Sequence, residues 1–138
     1  MPEIRRGTAA DLPAVAAIQD ASPEAAQWNV GDYLDHDFLV AIVGKSVAGF
    51  AVLRNVAPDE RELLNIAVAP DLRRKGVARA LWRASITGFH GNVFLEVRAS
   101  NAVAIALYNS LNFNTVSTRD NYYNFPPDAA IVMKFHSC

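Results

Sequence analysis

The sequence predicts an α+β, or mixed α/β, fold on one central sheet, and three observations carry that prediction. Apolar runs of strand length, bounded by turn residues, recur along the chain. Two of them, 37–43 and 47–56, are joined only by a Gly-Lys-Ser turn, which makes an antiparallel pair. Two others, 62–70 and 92–97, are separated by a helical stretch at 75–87, which makes a right-handed parallel crossover. Both connection types in one short chain imply a mixed sheet with flanking helices.

Taken in order, Ile4 lies in a short first strand. Thr8 followed by Asp11 resembles a capping box, with Asp in the place usually held by Glu. Leu12, Val15, Ala16 and Ile18 recur at near-helical spacing, so 9–20 reads as an amphipathic helix. Residues 21–37 are less regular, with helix near 30–36. "DFLVAIV" and "VAGFAVLRNV" form the hairpin. "ELLNIAVAP" is a third strand, stopped by Pro70, and "NVFLEV" is a buried strand. "NAVAIALYNSL" (101–111) is a helix capped by Ser100 or Asn101. "FNTVST" (113–118) and "AAIVMKF" (129–135) close the sheet.

At 138 residues, with 51% apolar and 20% charged residues, the chain suits one globular domain, 1–138. The net charge of −1 supplies no global basic field, so neither nucleic acid nor a membrane surface is an expected partner. Electrostatic function must be local. The lone cysteine, Cys138, forms no internal disulfide and has no paired histidine, and reads as an inert terminal thiol. No apolar run reaches spanning length and "MPEIRRGTAADLP" lacks a signal segment, so the expected location is the cytoplasm. His36, His90 and His136 show no metal-ligand spacing, and no metal is expected.

"VGKS" (43–46) is not a phosphate loop, because position 39 is Leu where that motif needs Gly. "RRKGVA" (73–78) carries more information. It places Arg73, Arg74 and Lys75 at the start of a helix, where the backbone is already electropositive. A solvated basic turn would account for a run of cations alone. The register Arg73-x-x-Gly76-x-Ala78, directly after an apolar strand, favours a pyrophosphate site instead. Gly permits close approach to the backbone, and exposed N–H groups bind anions.

That register resembles the pyrophosphate motif of the GCN5-related N-acetyltransferases, and the resemblance covers nearly the whole chain. "LEVRASNAVAIALYNSLNF" (95–113), followed by "NYY" (121–123), is similar to the bacterial ribosomal-protein-alanine acetyltransferase branch of that family. The resemblance implies a mostly antiparallel twisted sheet with one splayed parallel strand pair. It implies acetyl-CoA as acetyl donor, held by Arg73, Arg74, Lys75, Gly76, Val77, Ala78 and Asn101. The strand "LLNIAVAP" would hold the pantetheine arm through Ile66, Ala67 and Val68, with the Val68 N–H at the oxyanion. Tyr108, beside the coenzyme, would be the general acid and Glu96 the general base, directly or through water. Trp28, Asn65, Tyr122 and Tyr123 would border the acceptor, a protein N-terminus such as that of a ribosomal protein.

The spacing by itself leaves other readings open. Tyr108 falls in helical register with Val103, Ala104 and Leu107, which also suits a core tyrosine. Glu96 alternates with Leu95 and Val97, which also suits a solvent-facing carboxylate or a pair with Arg98. Asn101 also suits a cap, and Trp28, Tyr122 and Tyr123 also suit packing. The chain departs from the family at Ala78, in place of the last motif glycine, and at Leu111-Asn112-Phe113. Asn there is suited to a left-handed helix end. Segment 79–92 is short and carries Gly88 and Gly91, so its helix is expected to end early. The 121–130 stretch keeps "NYY" but continues "NFPPDAA", which departs from the family loop that selects the acceptor. The expected reaction is acetyl transfer to an α-amine. With ordinary pKa values near 7.8 and 10.4, roughly a tenth of α-amines but well under a thousandth of lysines are neutral at pH 7. A lysine or small-amine acetyltransferase, and a non-catalytic acyl-CoA-binding module, are the alternatives.

Overall fold

The computed structural model describes residues 2–124 and 126–137; Cys138, expected as an inert thiol, lies outside them. Seven strands form one sheet: β1 (Glu3–Arg6), β2 (Asp37–Val43), β3 (Ser46–Ala57), β4 (Glu60–Val68), β5 (Gly91–Arg98), β6 (Asn114–Asn124) and β7 (Pro127–Ser137). Their order is β1-β2-β3-β4-β5-β7-β6. Three helices flank it: α1 (Leu12–Asp20), α2 (Val77–Ile86) and α3 (Ala102–Ser110).

The sheet buries both faces. Along β2 and β3, alternate residues point to opposite sides. Phe38, Val40, Phe50 and Val52 join Val15, Ile18 and Tyr33 on the α1 side. Ala41, Ala51 and Leu53 join Leu81, Trp82, Leu95 and Met133 on the other. Continuous apolar runs are what two covered faces require.

All pairings are antiparallel except β4 with β5, and that parallel pairing spans only Glu60–Glu62 against Asn92–Phe94. Beyond it the two strands part. An extra residue, Leu64, lies opposite the Val52/Leu53 junction of β3 as a bulge. A bulge bends its strand and strengthens the local twist, which moves β4 away from β5.

The N-terminal box forms as expected, though the first turn is a 3-10 segment, Ala9–Asp11, and the α-helix starts at Leu12. The buried Asp11 carboxylate accepts from the Thr8 N–H at 2.8 Å and from both terminal nitrogens of Arg5 at 2.8 Å. The Arg5 hydrogen bonds hold its pKa far below the usual carboxylate range, and burial opposes them only in part. A depressed pKa means stability present at neutral pH and lost on acidification. Urea unfolding should therefore show stability falling below about pH 4, the unfolded value. Asp11→Asn should flatten that acid limb and lower stability at pH 7.

Several boundaries differ from the sequence expectation; α2 starts at Val77 rather than 75, and two other differences bear on the site. Strand β4 ends at Val68, and Pro70–Leu72 forms a 3-10 turn. Strand β6 runs to Asn124 rather than stopping at 118, so much of the expected 121–130 loop is the β6–β7 hairpin. It is an edge strand exposed along almost its whole length, so it lacks the apolar alternation that signals a strand.

Candidate active site

The gap between β4 and β5 opens two clefts that together make the candidate site. On one side lies a cleft of about 540 Å³ lined by Ile66, Ala67, Val68, Arg73, Arg74 and Gly76 through Arg79. On the other lies a cleft of about 600 Å³ lined by Trp28, Glu62, Glu96, Arg98, Tyr122 and Tyr123. Tyr108, Glu24 and Ala25 line both.

The first cleft ends on the N-terminus of α2. Gly76 caps that helix at φ 81°, with no side-chain cap and no acidic residue in the first turn. Arg74 is also left-handed, at φ 63°. A Cβ at 76 would meet nothing within 4 Å, so the space beside the backbone there is open. The first-turn N–H groups have no helical acceptors, and the residues that carry them line the cleft. Arg74 and Arg79 line the cleft, whereas Lys75 does not. Arg79 was not anticipated from the sequence, although it lies one helical turn after Gly76.

Arg73 is committed within the chain. It donates to the Val68 carbonyl at 3.2 Å and to Ser22 Oγ at 2.9 Å, and pairs with Glu24 at 2.9 Å. Asn101 caps α3 by accepting from the Ala104 N–H at 3.1 Å, and donates to the Glu24 carbonyl at 2.6 Å. Of the two expected caps, Asn101 is therefore the one used.

Val68 faces the gap. The Ala69 N–H bonds to Ala48 of β3, so the antiparallel alternation turns the Val68 N–H and C=O away from β3. Three edge groups of β4 besides the Val68 N–H are satisfied from the chain. Trp28 Nε1 donates to the Leu64 carbonyl at 3.2 Å, Asn65 Oδ1 accepts from the Ile66 N–H at 3.0 Å, and Arg73 takes the Val68 carbonyl.

Tyr108 is set by the end of α3. The Phe113 N–H bonds to the Tyr108 carbonyl, and Asn112 is left-handed at φ 72°. This is the helix ending expected from Asn112, and its usual apolar contact is present as the Tyr108–Phe113 ring pair, 6.0 Å apart. The side chain is 8% exposed. Burial, reinforced by Tyr123, pushes its pKa up to about 12. The hydroxyl stays protonated throughout the neutral range and is a donor. The ring is part of the core and also lines both clefts.

Glu96 points to the second cleft, since Val93, Leu95 and Val97 turn inward along β5. Its partner is Arg119, at 3.4 Å. Arg98 instead stacks on Tyr123 at 4.2 Å, and Arg119 reaches the Tyr122 ring at 5.2 Å. The two tyrosines meet edge to face at 5.1 Å. Burial, then the Glu96 charge, raises the Tyr123 pKa.

Asn65, expected to border the acceptor, lines neither cleft. It is fully buried and faces α1, bonded to Gln19, Ala26 and Tyr33. Glu62, which does line the second cleft and pairs with Arg54, was not anticipated. Among the described residues no cluster of three or more His, Cys, Asp or Glu could hold a metal, and no helix is long and apolar enough to cross a membrane.

A splayed parallel pair, an uncapped basic helix start and a buried tyrosine between two clefts match the arrangement that the sequence motifs implied. The acetyltransferase (GNAT) family model matches residues 6–113. The [ribosomal protein bS18]-alanine N-acetyltransferase of Escherichia coli K12 is 41% identical over 123 residues, covering 82% of this chain and 81% of that protein. An N-alpha-acetyltransferase of Saccharolobus solfataricus is 35% identical over 113 residues, covering 70% and 68%. The crystal structure of the ribosomal-protein-S18-alanine N-acetyltransferase from Escherichia coli superposes with a TM-score of 0.79 at 35% identity, covering 99% of this chain and 94% of that one. The chain belongs to the acetyltransferase (GNAT) family and is an acetyltransferase enzyme.

Proposed function

We propose that the enzyme transfers acetyl from acetyl-CoA to the α-amine of a protein N-terminus, with a ribosomal protein as the cytoplasmic acceptor. The observation that carries this is Tyr108, whose protonated side chain stands at the seam of the two clefts. The likeness to two N-terminal acetyltransferases supports the choice of amine. Acetyl-CoA, when bound, supplies the thioester. The N–H groups of Gly76, Val77 and Ala78, with Arg74 and Arg79, hold its phosphates. Ile66 and Ala67 border its arm. The Val68 N–H stabilises the carbonyl oxygen as charge develops there. The Tyr108 hydroxyl donates to the leaving sulfur. Glu96 takes the acceptor's proton, and Trp28, Tyr122 and Tyr123 border the acceptor. Arg73 and Asn101 serve the site by holding Glu24.

An Ala- or Ser-start peptide should be acetylated faster than the same peptide with a blocked α-amine and a free lysine, with the acetyl group located by mass spectrometry. Equal labelling of lysine would overturn the N-terminal assignment. The rate should rise with pH through a midpoint near 8 and level off above about pH 9, as the α-amine deprotonates. No alkaline fall from Tyr108 is expected below its pKa of about 12.

A further inference from the structure

Residues 23–28 wall the second cleft, and two of them, Glu24 and Ala25, also line the first; the two ends of this segment are held by different groups. Glu24, which lines both clefts, pairs through its carboxylate with Arg73 on the first-cleft side and gives its carbonyl to Asn101. Farther on, the Ala26 carbonyl accepts from Asn65 Nδ2 at 2.8 Å and the Trp28 carbonyl accepts from Gln19 Nε2 at 2.7 Å. Asn65 and Gln19 form one node with Tyr33. Asn65 Nδ2 reaches Gln19 Oε1 at 3.2 Å and the Tyr33 oxygen at 3.1 Å, and the Tyr33 hydroxyl donates to Gln19 Oε1. All three residues are buried, at 0%, 5% and 1% exposure. Apolar packing would fill this space but would not aim two backbone carbonyls. Directional hydrogen bonds in a low-dielectric interior do. Asn65 also bonds the Ile66 N–H, so it joins the splayed edge of β4 to the wall opposite.

We propose that Asn65, acting with Gln19 and Tyr33, is a positioning residue for the acceptor. The node sets the Ala26–Trp28 wall and so governs acceptor affinity, while the acetyl-CoA side is held separately through Glu24. This rests on the acetyl-transfer reading above.

Asn65→Ala and Tyr33→Phe test it. Tyr33→Phe keeps the ring against Phe38 and Phe50 and removes only the hydroxyl, so the fold is retained even if Asn65→Ala fails to fold. Each should raise KM for an Ala-start peptide roughly tenfold, the worth of one net hydrogen bond, while kcat and the acetyl-CoA thermal shift hold. The two changes combined should fall short of additive, because they act on one wall. Acrylamide quenching adds a structural readout. Trp28 is 47% exposed and Trp82 3%, so quenching reports on Trp28 and should increase in both variants. Unchanged KM and quenching in a folded variant would overturn the proposal, as would a fall in kcat at constant KM or a lost acetyl-CoA shift. A wild-type protein that labels no peptide N-terminus would instead overturn the underlying reading, and quenching would still decide whether the node holds the wall.

Discussion

Gly76→Asp is expected to abolish the thermal stabilisation that acetyl-CoA confers. A ligand at a hundred times its Kd stabilises by about 2.7 kcal/mol, which for a chain of this size raises Tm by roughly 10 °C. The open space beside Gly76 is where the pyrophosphate reading puts negative charge, and Asp would set a carboxylate in it. The left-handed backbone at 76 also strains any side chain, so the variant's own Tm should drop. The quantity to compare is therefore the shift on adding acetyl-CoA. Gly76→Asn separates the causes: it has the same shape and tolerance of left-handed backbone without the charge. Asn should keep part of the shift and Asp none. A full shift in Gly76→Asp would place acetyl-CoA elsewhere.

Tyr108→Phe should lower kcat by about 10²-fold, the lower end of what general acid catalysis contributes. The lower end follows from the environment. Burial raises the phenol to a pKa of about 12, which makes it a weaker acid than a free tyrosine. Its donation to a thiolate, with a thiol pKa near 8.5, is a hydrogen bond completed late rather than an easy transfer. The ring remains against Phe113, so packing and acetyl-CoA binding should hold. The loss should appear in kcat and kcat/KM alike, because the bond forms in the transition state. Melting curves must accompany the kinetics. Turnover near wild type in a stable Tyr108→Phe would leave Tyr108 a core residue with no part in the chemistry.

The sequence by itself determined the features whose causes are local. Gly76 after a basic run marks an uncapped helix start, because only glycine enters the left-handed region freely. Asn101 and Asn112 mark the two ends of α3, because capping depends on a few neighbouring residues. The Gly-Lys-Ser turn and the apolar runs beside it determined the hairpin and its two buried faces. The motif at 95–113 brought Glu96 and Tyr108 into consideration together.

Only the tertiary structure decided which face Asn65 occupies, which arginine meets Glu96, how far β6 extends, and what Arg73 and Asn101 hold. Asn65 shows why. Alternation along a strand assigns faces only while the register is unbroken, and the bulge at Leu64 breaks it one residue earlier. Arg119 rather than Arg98 pairs with Glu96 because β6 runs along β7 far enough to bring it there, through pairings that a polar edge strand does not announce. The segment from Ser22 to Trp28 is held by residues 36 to 77 positions away, at Leu64, Asn65, Arg73 and Asn101. Helical and strand periods express the backbone's own geometry over a few residues. Such contacts depend on which elements the sheet brings side by side, and that is decided by burying both of its faces at once.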